Sequence, residues 1–168
     1  MKIWLITDTH FNHERIKELS GRPDDFTERT LKNWSKMVGE NDLTIHLGDV
    51  IFSRASELTE MMARIPGRKV LVMGNHDRKP NWYMNHGFDF ACYRFELKHT
   101  LFVHEPQFSL PENCVRVIHG HLHNDTHRAD EYPESIPEYN HLLSLEKEEY
   151  KPVLLEDFIA RFDGSKTK

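Results

Sequence analysis

Five apolar runs in this chain stop in the same manner. Lys2 to Ile6 ends in Thr7-Asp8-Thr9-His10, and Asp42 to Leu47 ends in Gly48-Asp49. Lys69 to Met73 ends in Gly74-Asn75-His76-Asp77 and His99 to Val103 in His104. Cys114 to Ile118 ends in His119-Gly120-His121-Leu122-His123. Each run has the length and apolar make-up of a buried strand. A core strand has no need to end in carboxylates, a carboxamide and imidazoles. A site at the carboxyl ends of strands does, because open α/β sheets place their sites there. If these strands are neighbours, Asp8, His10, Asp49, Asn75, His76, His104, His121 and His123 converge on one crevice.

The segments between the runs say how the strands are joined. His13 to Leu19 reads as a short helix that Gly21 ends, with Pro23 just beyond. Thr27 to Gly39 reads as the longest helix, with Leu31, Trp34, Met37 and Val38 at helical spacing and Gly39 at its C-terminal cap. Ser56 to Arg64 is a third helix, stopped by Pro66-Gly67, and Pro80 to His86 a fourth. After Gly87 the rhythm changes. Ala91 to Leu97 and His99 to Val103 read as consecutive strands, and His141 to Leu145 and Tyr150 to Leu155 as a hairpin across Glu146-Lys147-Glu148-Glu149. Leu155 to Phe162 closes the chain as a helix. Residues 124 to 140 read as a long polar loop and 164 to 168 as a tail, so residues 1 to 163 form the one expected domain. A first half of alternating strands and helices and a second half mostly of strands predict mixed sheets with helices outside.

Composition removes several function classes. The chain carries a formal net charge of -5, which argues against the basic footprint of a nucleic-acid binder. Its two cysteines make no disulfide framework, and a reducing cytoplasm is the expected location. No apolar run approaches the roughly 18 residues of a membrane span. The count that needs an explanation is histidine, 12 of 168 residues.

Taken singly, each strand ending has an ordinary explanation. Asp-x-His can cap a turn, Gly-Asp is common turn chemistry, and a lone His104 can be a satisfied core histidine. Their joint occurrence at five strand ends points to a metal. Asp8, His10, Asp49, Asn75, His104, His121 and His123 are too many donors for one ion. They suit two divalent ions about 3.5–4 Å apart sharing a carboxylate. Imidazole, carboxylate and carboxamide donors without a thiolate fit Mn, Fe, Zn, Ni or Co, with Mn foremost, and not a closed structural zinc site. Two such ions outweigh the charges of Asp8 and Asp49, so the site favours a phosphate group inside an acidic protein. Water between the ions would be acidified to a hydroxide nucleophile, and a histidine can protonate the leaving oxygen.

Asp8-x-His10, Gly48-Asp49, Gly74-Asn75-His76-Asp77, His104 and Gly120-His121-Leu122-His123, in this order, resemble the calcineurin-like metallophosphoesterases, and Asp8-Thr9-His10-Phe11-Asn12-His13 resembles in particular their small single-domain bacterial and phage members. The motifs span residues 8 to 123. The resemblance implies a four-layer α/β/β/α sandwich of two mixed sheets flanked by helices. It implies one ion held by Asp8, His10, Asp49 and His123, and another by Asp49, Asn75, His104 and His121, with Asp49 bridging. It implies that His76 is not a ligand but faces the phosphate and protonates the leaving group or stabilises the transition state. There is one departure. Many members continue Gly-Asp-x-x-Asp-Arg, where the second acid supports the histidine and the arginine binds phosphate. Here Phe52 replaces the acid and Arg54 comes one residue late, which leaves His76 without that carboxylate; Asp77 is not assigned to the task.

The expected activity is hydrolysis of phosphate esters, phosphodiesters before monoesters, on a small substrate, nucleotides included. Asn12, His13 and Arg54 are the candidate substrate contacts. Two other readings compete: a nuclease acting on DNA or RNA ends, and a catalytically silent scaffold of the same fold. The net charge speaks against the first, and the complete donor set with His76 against the second.

Overall fold

In a computed structural model, which describes residues 1–124 and 135–163, the chain forms two mixed sheets with helices. The elements in order are β1 (Ile3–Ile6), α1 (Arg15–Ser20), α2 (Phe26–Met37), β2 (Leu43–His46), α3 (Ala55–Ala63), β3 (Arg68–Val72) and α4 (Pro80–Met84). They continue with β4 (Phe90–Cys92), β5 (Phe95–Leu97), β6 (Thr100–Phe102), β7 (Arg116–His119), β8 (Asn140–Leu142), β9 (Val153–Leu154) and α5 (Leu155–Asp163). The first sheet has the order β4-β3-β2-β1-β9 and the second β5-β6-β7-β8. Strands β1 to β4 are parallel, as strand–helix–strand crossovers require. Only β9 runs against them, and in the second sheet only β5 runs against β6.

Side-chain alternation sorts the core. On β1, Trp4 and Ile6 face a cluster with Phe26, Leu31 and Trp34 of α2, Leu58 and Met62 of α3 and Tyr83 of α4. Leu5 points the other way, into a cluster shared with Ile45, Val72, Phe102 and Ile118. That second cluster joins the two sheets, and α5 adds Leu155 and Phe158 to it. The outer face of the second sheet packs Leu101 and Val117 with Val103, Cys114, Leu110 and Tyr139. Helix α2 is anchored by Trp34, which is fully buried and donates its Nε1–H to Thr44 Oγ1 at 3.1 Å. This is the α/β sandwich that the resemblance implies.

Three local expectations change. The run Ala91 to Leu97 is not one strand: β4 ends at Cys92 in the first sheet and β5 begins at Phe95 in the second. The chain changes sheets there, so a continuous apolar pattern is divided between two partners. The hairpin across Glu146 to Glu149 does not form. Strand β8 pairs with β7 and β9 with β1, in different sheets, so the two do not pair with each other. Gly39 does not take a left-handed cap; α2 ends at an extended Val38, and the Gly39 N–H donates to Asp42 Oδ2. The turn that does form between neighbouring strands is at Lys98-His99, both at positive φ (50° and 57°), between the paired Leu97 and Thr100. That is the two-residue turn whose twist matches its strands. Of the loop read over 124 to 140, residues 125 to 134 lie outside the described residues, as do 164 to 168.

Candidate metal centre

The carboxyl ends of β1, β2 and β3 in one sheet and of β6 and β7 in the other open on the same edge of the sandwich. All seven donor residues named above meet there. Six of them are buried: Asp8, His10, Asp49, His104, His121 and His123. Asn75 and His76 are exposed at the mouth.

The backbone there is unusual. Asp8, His10, Asp49, His121 and His123 all have positive φ, between 43° and 69°. Left-handed backbone is uncommon for residues other than glycine, and it clusters where surrounding structure overrides local preference. Two glycines make room for the carboxylates. A Cβ at Gly74 would overlap Asp49 Oδ1, and one at Gly120 would overlap Asp8 Oδ2 and Thr7 Oγ1.

The donors fall into two groups. Around Asp8 Oδ1, His10 Nε2 lies at 3.8 Å and His123 Nε2 at 3.9 Å, and the His10 and His123 rings stack at 5.1 Å. Around His104 Nε2, Asn75 Oδ1 lies at 3.0 Å, His121 Nδ1 at 3.1 Å and Asp49 Oδ2 at 3.4 Å. Asp49 Oδ2 is also 3.5 Å from His10 Nε2, so it stands between the groups. The compact triads Asp8–His10–His123 and Asp8–Asp49–His104 share Asp8 as well. Hydrogen bonding separates the two carboxylates. Asp8 Oδ2 is engaged by Thr7 Oγ1 and by the His121 N–H, leaving only Oδ1 free. Asp49 gives Oδ1 to the His76 N–H at 3.0 Å, which leaves Oδ2 facing histidines of both groups.

These residues fit divalent cations. Donors sharing an ion at about 2.1 Å stand about 3.0–3.4 Å apart, the spacing of the second group. Among the described residues, Asp8 Oδ1 and both ring nitrogens of His10 are buried without a hydrogen-bond partner, a costly state for polar atoms that an ion would relieve. Burial holds His10 well below the usual histidine range, so it is neutral, the form that binds metal. Burial also opposes charge on His104, but the Asp49 and Asp8 carboxylates outweigh it and raise this histidine to about 9. The field that holds a proton there would hold a cation.

The supporting residues were less visible in the sequence. Arg22 is buried and spans the first loop: its guanidinium donates to the carbonyls of Asp8 at 2.7 Å and Thr9 at 3.0 Å. It also pairs with Glu146 Oε1 at 2.7 Å, and that same oxygen lies 3.2 Å from His123 Nδ1. Glu146, placed by the sequence in the turn of a hairpin, is therefore a buried partner of His123 Nδ1, which also lies 3.4 Å from Arg22 Nη2; a carboxylate beside the outer nitrogen of a histidine is common behind metal ligands. Burial works against its charge, yet His123 and Arg22 bring it down to about 2. No local signal marks this pair, which joins residues 124 apart. Asp77 also has a role: it accepts the N–H groups of Asp49, Val50 and Gly74 and the Tyr83 hydroxyl. It ties the β2 and β3 loops together and turns away from His76. His46 and His119 are also buried.

Among the substrate candidates, His13 alone lies against the centre, its ring 5.7 Å from His10 and 4.0 Å from Phe52. Asn12 turns its amide to Glu57 at 2.7 Å. Arg54 is exposed at the start of α3 and, among the described residues, makes no hydrogen bond or ion pair to the site.

Residues 1–163 match the family model described as calcineurin-like phosphoesterase. The chain belongs to the calcineurin-like phosphoesterases. This family comprises metal-dependent hydrolases of phosphate esters, and the triads Asp8–His10–His123 and Asp8–Asp49–His104 are candidate places for such a metal. The chain is 32% identical to an uncharacterized protein, MJ1445, of Methanocaldococcus jannaschii, over 98% of its own length and 93% of the relative's. It is 36% identical to the gene 66 protein of Mycobacterium phage L5 over 80 residues, 44% of this chain and 39% of that one. Its fold is similar to the crystal structure of AQ665 from Aquifex aeolicus, a protein of unknown function, with TM-score 0.74, 28% identity and coverage of 96% and 99% of the two chains. Among the described residues, no helix is long and apolar enough to cross a membrane.

Proposed function

We propose that this phosphoesterase is a two-ion phosphodiesterase. Asp8, His10, Asp49 and His123 would hold one ion, and Asp49, Asn75, His104 and His121 the other. The observation that carries this reading is the single oxygen Asp49 Oδ2 standing 3.5 Å from His10 and 3.4 Å from His104, between two donor groups. When bound, the ions supply Lewis acidity toward phosphoryl oxygens and make water acidic enough to be a nucleophile near neutral pH. His76, exposed at the mouth and fixed through its backbone to Asp49, donates a proton to the leaving oxygen. His13 lines the approach.

The preference for diesters rests on charge. A monoester brings a second negative charge. Phe52 and His13 pack at 4.0 Å beside His76, and Arg54 stays outside. That rim suits the single charge of a diester. Mn²⁺ is the first ion to test, since the donors are imidazole, carboxylate and carboxamide without a thiolate. The two free cysteines, Cys92 and Cys114, suit a reducing cytoplasm.

The test is hydrolysis of bis-p-nitrophenyl phosphate against p-nitrophenyl phosphate after loading with Mn²⁺, Zn²⁺, Ni²⁺ or Co²⁺, with metal stoichiometry measured alongside. Two ions per chain and faster turnover of the diester are expected. His76→Ala should lower kcat and leave metal content intact; loss of metal in that variant would show that His76 is a ligand.

A further inference from the structure

In the family pattern described above, a carboxylate supports the histidine that faces the phosphate. Here, among the described residues, the His76 ring has no hydrogen-bond partner, and the backbone N–H of His76 alone is tied down, by Asp49. What the ring touches is aromatic. Phe52 lies 5.5 Å from it, centroid to centroid, at an interplanar angle of 51°. The same phenyl ring lies 4.0 Å from His13 and 5.5 Å from His10. His10 lies 6.0 Å from His76, edge on. Phe52 is thus the hub of three imidazoles, and it is 42% exposed, which burial in the core does not explain.

We propose that Phe52 is the positioning residue for His76: ring packing, in place of a carboxylate, selects the rotamer in which the imidazole faces the substrate. The proposal rests on the reading of His76 as proton donor. An aromatic pair of this geometry favours one arrangement by about two- to twelvefold over an unpaired one. A neutral support also has a chemical consequence. It adds no negative charge beside an incoming phosphodiester, and it leaves both ring nitrogens of His76 free to exchange protons with substrate and solvent.

The experiment compares wild type with Phe52→Leu and Phe52→Tyr, using two readouts. In the metal-free protein with isotope-labelled histidine, the His76 ring protons should be displaced by the Phe52 ring current. That displacement should vanish in Phe52→Leu and persist in Phe52→Tyr, while the buried His46 signals stay in place. In the Mn²⁺-loaded enzyme, Phe52→Leu should lower kcat for bis-p-nitrophenyl phosphate by about three- to tenfold. KM and metal content should be unchanged, and Phe52→Tyr should retain the rate. Unchanged kcat in Phe52→Leu overturns the proposal, whatever the ring shifts do. Loss of metal in that variant also overturns it, by moving the role of Phe52 to His10. His76→Ala separates the two levels: if it leaves kcat unaltered, the proton-donor reading fails, while the ring-current comparison still decides whether Phe52 holds the ring.

Discussion

The sharpest stability test concerns Glu146. Its Oε1 takes a hydrogen bond from Arg22 Nε at 2.8 Å and lies 3.2 Å from His123 Nδ1. The Arg22 side chain is wholly buried (0% exposed), so removal of its partner strands a cation without solvent. Breaking one side of a buried pair costs about 3–5 kcal/mol. For a chain of this length each kcal/mol lowers Tm by about 2–4 °C, so Glu146→Ala should melt about 10 °C lower. Glu146→Gln is the informative variant. It keeps an oxygen for Arg22 or for His123 but loses the negative charge beside His123 Nδ1. Loss of such an outer partner lowers metal affinity by about 10–100-fold, or about 1.4–2.7 kcal/mol. Calorimetric titration of metal-free protein with Mn²⁺ reads the affinity, and melting of the same samples reads the stability. If Glu146→Gln binds Mn²⁺ within twofold of wild type, then Glu146 does not orient a ligand, and the Arg22 pair is structural only.

Other perturbations probe the scaffold. Gly120→Ala places a Cβ against Asp8 Oδ2 and Thr7 Oγ1, so metal content should fall below one ion per chain although the fold persists by circular dichroism. Asp77→Ala leaves three N–H groups and the Tyr83 hydroxyl without their acceptor and should cost about 3 kcal/mol or more in denaturant titration; a loss under 1 kcal/mol would mean that water replaces it. His46 has its Nδ1 facing the Gly48 N–H at 3.1 Å and its Nε2 against Thr9 Oγ1 at 2.9 Å, an arrangement that suits only the neutral ring. Burial lowers its folded pKa to about 3 from 6.5. A depressed folded value means that the unfolded chain binds the extra proton first. Stability should therefore be full above pH 6.5, fall with pH through that window and level off near pH 3, and His46→Gln should flatten the slope.

What could be read from the sequence, and what could not, divides along one physical line. Asp8 and His10, Asn75 and His76, and His121 and His123 are local in the chain. Each pair follows an apolar run whose direction and burial the run itself specifies, so topology alone brings them together. The strand endings thus anticipated that these side chains meet. The misplaced features depend on choices between distant partners. Residues 141–142 and 153–154 had the right composition for strands, but which edges they join is decided by β7 and β1, far away in the chain. Glu146 sat in a run of charges that reads as solvated, and only the approach of Arg22 makes it a buried anchor. Phe52 was visible as a missing acid. A missing acid does not say what replaces it, since ring packing among His10, His13 and His76 depends on the β1 and β3 loops closing on the β2 loop. The left-handed backbone at Asp8, His10, Asp49, His121 and His123 follows the same logic. Asp and His take positive φ more readily than most residues. Contacts from outside hold it here: Arg22 on the Asp8 and Thr9 carbonyls, Asp77 on the Asp49 and Val50 amides, and Asp8 Oδ2 on the His121 amide. The donors are local; the force that aims them is not. Variants of Arg22, Asp77 and Glu146 should therefore impair the centre without removing a single donor.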